Sequence, residues 1–173
     1  MRLIVLVLPL ALILAACATL SEDQCRGGHR AGTGPLDGEA GRAPDWIARH
    51  AEACADFGIQ PDREAWAAGR AEGLVLYCQP APAYRNGRSG ARNSSVCPAA
   101  ARAKMPTPWE HGRQYYRLEQ DIDQIDREID EAFRKATVTE DAALRDALLR
   151  DISFLRFRQG TLEHRQARYS SWP

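Results

Sequence analysis

The stretch at residues 118–133 reads LEQDIDQIDREIDEAF, and its apolar side chains recur with the period of an α-helix. Successive members stand four, three, four and four residues apart, which places them on one helical face. The members of this stripe are Leu118, Ile122, Ile125, Ile129 and Phe133. Residues 119–131 carry seven carboxylates and one basic side chain, as expected of a solvated face. The stretch therefore predicts a long amphipathic helix.

A second apolar stripe follows the first after a short break in the pattern. Its members are Leu144, Leu148, Ile152, Leu155 and Leu162. Between the stripes, residues 137–140 read TVTE, which matches the capping box found at the start of a helix. Two amphipathic helices joined by a short turn pack face to face, so residues 109–168 are predicted to form an antiparallel helical hairpin.

Residues 45–104 predict a small helical region before the hairpin. One helix is predicted over residues 45–57, with Gly58 just beyond its end. A second helix is predicted over residues 62–77, with Pro61 at its entrance, where the missing N–H costs little. The fold class is therefore mainly α, with a small disulfide-stapled helical N-terminal half and a C-terminal antiparallel helical hairpin.

Three pentapeptides share the pattern aromatic-x-x-Gly-Arg: WAAGR at residues 66–70, YRNGR at residues 84–88 and WEHGR at residues 109–113. Their predicted settings differ, whereas a structural repeat would keep both its period and its setting. Glycine inside a helix costs about 1 kcal/mol relative to alanine, so it needs a compensating reason. We interpret the pattern as a packing device, in which a glycine beside a ring lets a second backbone approach.

Residues 79–104 contain five basic side chains, no acidic one and three prolines, and they are predicted to be rich in loops. Two interpretations of these arginines remain open. Arg85, Arg88 and Arg92 could bind an anion such as a lipid A phosphate, a phospholipid headgroup or a peptidoglycan carboxylate. Alternatively, the arginines pair with the acidic arm of the hairpin in the same molecule.

Four cysteines follow Cys17 in the chain, and an even number in an exported protein predicts disulfides. They are Cys25, Cys54, Cys78 and Cys97. Three pairings are possible; Cys25–Cys54 with Cys78–Cys97 closes short loops and is preferred. A four-thiolate metal site usually contains close Cys-x₂-Cys pairs, which these spacings lack.

The first residues have the organisation of an export signal. Residues 1–16 contain one basic residue, an apolar run of 12 residues and then small residues. The sequence LAAC at residues 14–17 resembles the lipobox of bacterial lipoproteins, which implies that Cys17 becomes the lipidated (palmitate-bearing) first residue and points to the outer membrane. The alternative is an ordinary signal peptide cut near Ala16. Residues 17–44 are rich in glycine and are predicted to be a flexible segment that forms turns but little core.

No pattern of residues predicts catalysis or a cofactor. The four histidines (His29, His50, His111 and His164) lack metal-ligand spacing, and neither a GxSxG motif nor a phosphate-binding loop is present. Cys54 lies on the same predicted helix as His50, but its expected disulfide argues against a Cys–His dyad. The formal net charge is zero, which argues against a general nucleic-acid binder. No catalytic residue, metal or cofactor is therefore predicted.

Five motifs stand together in the chain after Cys17. They are CRGG…GPLDGEAGR (residues 25–42), HAEACADFGIQPD (50–62), WAAGRAEGLVLYC (66–78), NGRSGARNSSVCP (86–98) and WEHGRQYYRLEQDI (109–122). Together they resemble a family of small bacterial lipoproteins known as domain of unknown function 2799. The resemblance implies an envelope lipoprotein with paired cysteines and implies no activity. Arg30 departs from the family, whose members often have an aromatic residue there.

These observations predict a lipid-anchored protein at the periplasmic side of the outer membrane. We expect a structural or protein-interaction role in the cell envelope, with an envelope protein or an anionic glycolipid as partner and without enzymatic activity. The alternative is a binding module for an anionic envelope component, namely lipopolysaccharide, a phospholipid headgroup or peptidoglycan. The sequence leaves open whether the hairpin packs on the core or protrudes to dock a partner.

Overall fold

The computed structural model describes residues 20–26 and 32–173, and every regular element in these residues is helical. The mainly α-helical class predicted from the sequence is thereby confirmed. The chain forms two compact units that divide between Tyr77 and Cys78, inside the region predicted as one unit over residues 45–104. The predicted signal peptide and Cys17 lie outside the described residues.

The described part of the first unit consists of short helices. They are α1 (Glu22–Arg26), α2 (Thr33–Glu39), α3 (Ile47–Ala55) and α4 (Arg63–Tyr77). A 3₁₀ turn at Pro44–Trp46 leads directly into α3. The carboxylate of Asp62 accepts a hydrogen bond from the Ala65 amide and so caps the start of α4.

A disulfide between Cys25 and Cys54 joins α1 to α3, with the two Cα atoms 5.7 Å apart. Both cysteines are buried and form an apolar cluster with Leu20, against which Ala53 and Ile59 pack. A unit of this size has little apolar surface to bury. The disulfide stabilises it by about 3 kcal/mol, chiefly by restricting the unfolded chain.

Helices α2 and α4 cross at a pair of glycines. A Cβ atom added at Gly38 would overlap the Arg70 carbonyl, and one added at Gly73 would overlap the Pro35 carbonyl. The two backbones are therefore in direct contact, which only glycine permits. Gly41 follows α2 with a φ of 66° and lies under the ring of Tyr77.

The second unit begins with a second disulfide, Cys78–Cys97, whose Cα atoms are also 5.7 Å apart. The two disulfides together are the preferred one of the three possible pairings. The helices of this unit are α5 (Pro80–Arg88), α6 (Ala99–Arg102), α7 (Pro106–Val138) and α8 (Ala142–Ala167).

Helices α7 and α8 form the predicted antiparallel hairpin, which is confirmed. Its core contains the buried Leu118 and Ile125 of α7 and Leu162 of α8. Four partly buried residues complete this core: Ile122, Ile129, Leu155 and Tyr169. Most members of the two stripes read from the sequence thus lie in the contact faces of the two helices, whereas Phe133 and Leu144 are 54 % and 48 % exposed.

The turn of the hairpin differs from the capping box predicted at residues 137–140. Helix α7 continues through Val138, and the N-cap of α8 is Asp141, whose carboxylate accepts from the amides of Ala143 (2.8 Å) and Leu144 (3.2 Å). Aspartate caps the start of a helix as well as threonine does. The continuation of α7 through Val138 adds backbone hydrogen bonds to that helix before the turn.

Helices α5 and α7 cross in the same way as α2 and α4. A Cβ atom at Gly87 would overlap the Trp109 carbonyl, and one at Gly112 would overlap the Tyr84 carbonyl. Gly90, with a φ of 77°, lies under the ring of Tyr116.

The two crossings correspond residue by residue, with a constant offset in numbering for each helix. Gly38 and Gly41 correspond to Gly87 and Gly90, whereas Gly73 and Tyr77 correspond to Gly112 and Tyr116. The helix ends also match, because the Arg42 amide bonds the Asp37 carbonyl as the Ala91 amide bonds the Asn86 carbonyl. The repeat in this protein is therefore a helix pair, and not the pentapeptide: the WAAGR glycine, Gly69, is not the glycine at the crossing.

Two stretches predicted to be irregular contain helices. The described part of residues 17–44 includes α1 and α2, and residues 79–104 include α5 and α6. The prediction failed because it treated glycine and proline as breakers. Here the glycines form the contact surface of α2 and α5, and Pro80 occupies the first turn of α5, where no N–H is needed.

We expect alanine at a crossing glycine to destabilise the fold. Gly73→Ala and Gly112→Ala should each lower the free energy of unfolding by about 1–3 kcal/mol, because the added methyl group forces apart two backbones in contact. Urea denaturation followed by circular dichroism measures the change.

Gly160→Ala is the matched control, since a Cβ atom there meets nothing within 4 Å. This substitution in the interior of α8 should stabilise by up to about 1 kcal/mol through helix propensity. Equal effects at all three glycines would contradict the importance of the crossings.

Candidate functional site

Side chains from α5 and α7 hold the C-terminal segment (residues 169–173) by its backbone. The Tyr84 hydroxyl donates to the Tyr169 carbonyl at 2.8 Å, and Arg88 Nη1 donates to the Ser170 carbonyl at 3.0 Å. His111 Nε2 lies 3.0 Å from the Ser171 carbonyl, which requires the tautomer that donates from Nε2. We call Tyr84, Arg88 and His111 the backbone clamp.

The clamp follows from the helix crossing. Tyr84 and Arg88 are four residues apart and so share one side of α5. His111 precedes the crossing glycine Gly112 on α7. Because the backbones of α5 and α7 are in contact there, side chains of both helices reach the same C-terminal segment. Successive carbonyls at residues 169, 170 and 171 are bound, and no side chain of the segment hydrogen-bonds to the clamp.

Aromatic rings pack around the clamp. The ring centroid of His111 lies 5.8 Å from that of Tyr84, 5.0 Å from that of Tyr169 and 5.5 Å from that of Trp172. These separations are within the range of favourable edge-on aromatic contacts. The rings thus hold the segment in the same place as the three hydrogen bonds do.

Arg88 is fixed by a ring as well as by a carbonyl. Its guanidinium carbon lies 4.1 Å from the centroid of the Tyr115 ring. A side-chain hydrogen bond to Tyr115 raises the pKa of Arg88 above its usual value. Arg88 therefore stays charged and oriented at the clamp.

A cavity of about 460 Å³ opens beside the clamp. It is lined by Pro106, Thr107, Glu110, His111, Gln114 and Tyr169. Two of these residues, His111 and Tyr169, also take part in the contacts of the C-terminal segment. The cavity and the segment therefore occupy one continuous surface of the second unit.

A second arrangement of polar residues is buried in the first unit around Asp37. Its Oδ2 atom lies 2.5 Å from His50 Nε2 and accepts a hydrogen bond from Trp66 Nε1 at 2.8 Å. The side chain of His50 is 4 % exposed and that of Asp37 is 13 % exposed. These two contacts connect Asp37 on α2 to α3 and α4.

Arg70 borders this polar cluster. Its Nε donates to the Arg42 carbonyl at 2.7 Å, where it satisfies a carbonyl beyond the end of α2. Burial lowers the pKa of Arg70 from its usual value, and the nearby Asp37 carboxylate opposes this shift.

The Asp37–His50 pair resembles the orienting half of a catalytic triad in composition only. A general base must reach a substrate, and His50 is 3 % exposed. Cys54, on the same helix, is in a disulfide with Cys25. We therefore interpret the pair as a buried polar link between α2, α3 and α4.

The three arginines of the aromatic-x-x-Gly-Arg motifs share one kind of partner. Arg70, Arg88 and Arg113 donate to the carbonyls of Arg42, Ser170 and Gly90 respectively. Within residues 20–26 and 32–173 none of them forms an ion pair with the acidic face of α7. The hydrogen-bond acceptors of these three arginines are thus backbone carbonyls of the same molecule.

The predicted anion-binding residues have different surroundings. Arg88 is part of the backbone clamp, whereas Arg85 and Arg92 are exposed, and their side chains form no hydrogen bond or ion pair with the described residues. The clamp itself was missed from the sequence. The sequence contained one signal for it, namely Tyr84 and Arg88, which stand four residues apart in YRNGR, together with the aromatic residues Tyr169 and Trp172.

Several predicted features fall outside the described residues, including Cys17 and His29. Among the residues that the structure describes, no three His, Cys, Asp or Glu side chains are grouped as metal ligands would be. The helices of this same part are all too short or too polar to span a bilayer.

Residues 29–114 match the family model described as protein of unknown function (DUF2799), so the chain carries a DUF2799 domain over that range. The matched range includes both glycine crossings and the whole backbone clamp. No curated protein and no solved structure matches the chain.

We expect the buried carboxylate to be essential for the first unit. Asp37→Asn should lower the free energy of unfolding by about 1–3 kcal/mol, because a neutral amide oxygen is a weaker acceptor for the two N–H groups than a carboxylate oxygen. Urea denaturation followed by tryptophan fluorescence measures the loss. Glu39→Gln, an exposed acid on the same helix, is the control and should change little; a similar loss there would argue against the assignment.

Proposed function

We propose that this protein, which carries a DUF2799 domain over residues 29–114, is a lipid-anchored interaction protein of the bacterial cell envelope. In this proposal the second unit recognises the backbone carbonyls of a polypeptide segment that forms a turn, as residues 169–171 do. The chain's own C-terminal segment occupies that site in the free protein.

The observation that carries the proposal is the binding of three successive carbonyls by Tyr84, Arg88 and His111. Backbone recognition of this kind gives affinity without requiring a particular sequence, and the neighbouring pockets select side chains. The cavity beside His111 is in the right place to do so. A peptide of another protein would make the same three hydrogen bonds.

The location in the envelope rests on the sequence and is supported by the disulfides. Residues 1–17 have the pattern of a lipoprotein signal ending in Cys17. Both disulfides require an oxidising compartment such as the periplasm. Acyl chains on Cys17 would hold the protein at the membrane, since two or more chains anchor stably.

Binding of an anionic envelope component through Arg85, Arg88 and Arg92 is the less favoured function. Arg88 already donates through Nη1 to the Ser170 carbonyl and stacks on the Tyr115 ring, so fewer of its N–H donors are left for an anion. Arg85 and Arg92 are exposed, and neither lines the cavity beside His111.

Deleting residues 169–173 should free the clamp for a peptide added in trans. We expect the peptide YSSWP to cause saturable NMR shifts in the shortened chain and none in the full chain, because the tethered segment outcompetes it. The attached segment acts at an effective concentration of about 1 mM, so a peptide added well below that concentration does not displace it.

Two variants in the shortened chain distinguish the clamp from general charge. Tyr84→Phe with Arg88→Ala should abolish the shifts, while Arg85→Ala on the same helix should leave them unchanged. If a folded shortened chain shows no saturable shifts, the peptide-binding proposal is wrong.

Anchoring is tested separately by Cys17→Ser. This variant should lose metabolic labelling with palmitate, because it removes the acylated sulfur. Ser21→Ala, four residues along, is the control and should keep the labelling. Persistent labelling of the Cys17→Ser protein would rule out lipidation at this residue.

A further inference from the structure

Helix α8 carries apolar side chains on two opposite sides. Ile152, Leu155 and Leu162 face α7 in the hairpin core. Phe154 and Phe157 point away from it and are 66 % and 76 % exposed. Two large rings this exposed on one side of a helix are unusual unless something covers them.

Basic side chains surround the two rings. We define the outer face of α8 as Arg150, Phe154, Phe157, Arg158, Arg165 and Arg168. These positions follow helical spacing along one side of α8 and are all exposed. Of the two carboxylates in this part of the helix, Glu163 lies on the opposite side, whereas Asp151 lies at the edge of the outer face, three residues before Phe154. The four arginines outnumber this one carboxylate.

The arginines of the outer face have no partner within the described part of the molecule. None of their four side chains takes part in a hydrogen bond, an ion pair or a ring contact with a described residue. They differ in this respect from Arg70, Arg88 and Arg113, which are all engaged by carbonyls. The outer face is thus a surface of free positive charge around two exposed rings.

We propose that the outer face of α8 binds an anionic phospholipid surface. A helix with aromatic residues flanked by arginines suits the interface of a bilayer, where rings enter the acyl boundary and long basic side chains reach the headgroups. Each arginine close to an anionic membrane contributes about 1 kcal/mol of attraction. This site is separate from the backbone clamp and from the lipid proposed for Cys17.

The test uses the chain of residues 18–173, which lacks the acylated cysteine but contains every described residue. Co-flotation with vesicles of phosphatidylethanolamine and phosphatidylglycerol should show binding that weakens as salt screens the charges. Vesicles of phosphatidylcholine alone should bind at least about tenfold less protein at equal lipid, since four arginines then lose their anionic partners.

Matched variants assign the binding to the outer face. Phe157→Ser should reduce the affinity for the anionic vesicles about tenfold. Phe133→Ser, which removes an exposed ring from α7 instead of α8, should not. Arg158→Gln should weaken binding and its salt dependence, while Arg134→Gln on α7 should do so less. All four residues are exposed, so each variant should keep the wild-type unfolding midpoint.

Three outcomes would overturn the proposal. One is equal binding to anionic and neutral vesicles, and another is a loss of binding with Arg85→Gln and Arg92→Gln but not with Phe157→Ser. The third is concentration-dependent self-association without lipid that Phe157→Ser abolishes, because the outer face would then be a protein contact. The Cys17→Ser and YSSWP experiments do not depend on any of these results.

Discussion

The close approach of two helix backbones at paired glycines is the constraint on which the rest of this structure depends. At Gly38 with Gly73, and again at Gly87 with Gly112, no side chain separates the helices. Glycine lowers helix propensity, so each helix gives up local stability for this contact. Direct contact of the backbones then fixes the relative positions of the neighbouring side chains. The disulfides add stability that the small cores do not supply.

The same crossing supports different chemistry in the two units. Arg70 in the first unit and Trp109 in the second occupy corresponding positions, and both donate to the carbonyl that follows the αL glycine. Elsewhere the correspondence ends. The first crossing lies beside a buried polar link around Asp37, whereas the second presents Tyr84, Arg88 and His111 to the end of the chain. The two helix crossings thus share one geometry, while the side chains around them differ.

The proposed functions use surfaces that the crossings and the hairpin leave available. The clamp binds carbonyl groups and so is suited to polypeptide backbone, while the outer face of α8 offers rings and free arginines suited to lipid. Both surfaces belong to the second unit, whose hairpin core uses the opposite side of α8. An envelope protein that holds a peptide near a membrane would need these two properties together.

The sequence by itself determined the hairpin and the α-helical class, because periodicity is a local property. It left three cysteine pairings open and only favoured the one that the structure contains. It also contained the aromatic-x-x-Gly-Arg pattern as a packing signal. Only the tertiary structure decided that Gly73 rather than Gly69 lies at a crossing, that the glycine-rich stretch forms α2, and that Arg88 binds a carbonyl distant in sequence. These features depend on which backbone lies opposite each residue, and contacts between residues far apart in the chain leave no periodic trace in the sequence.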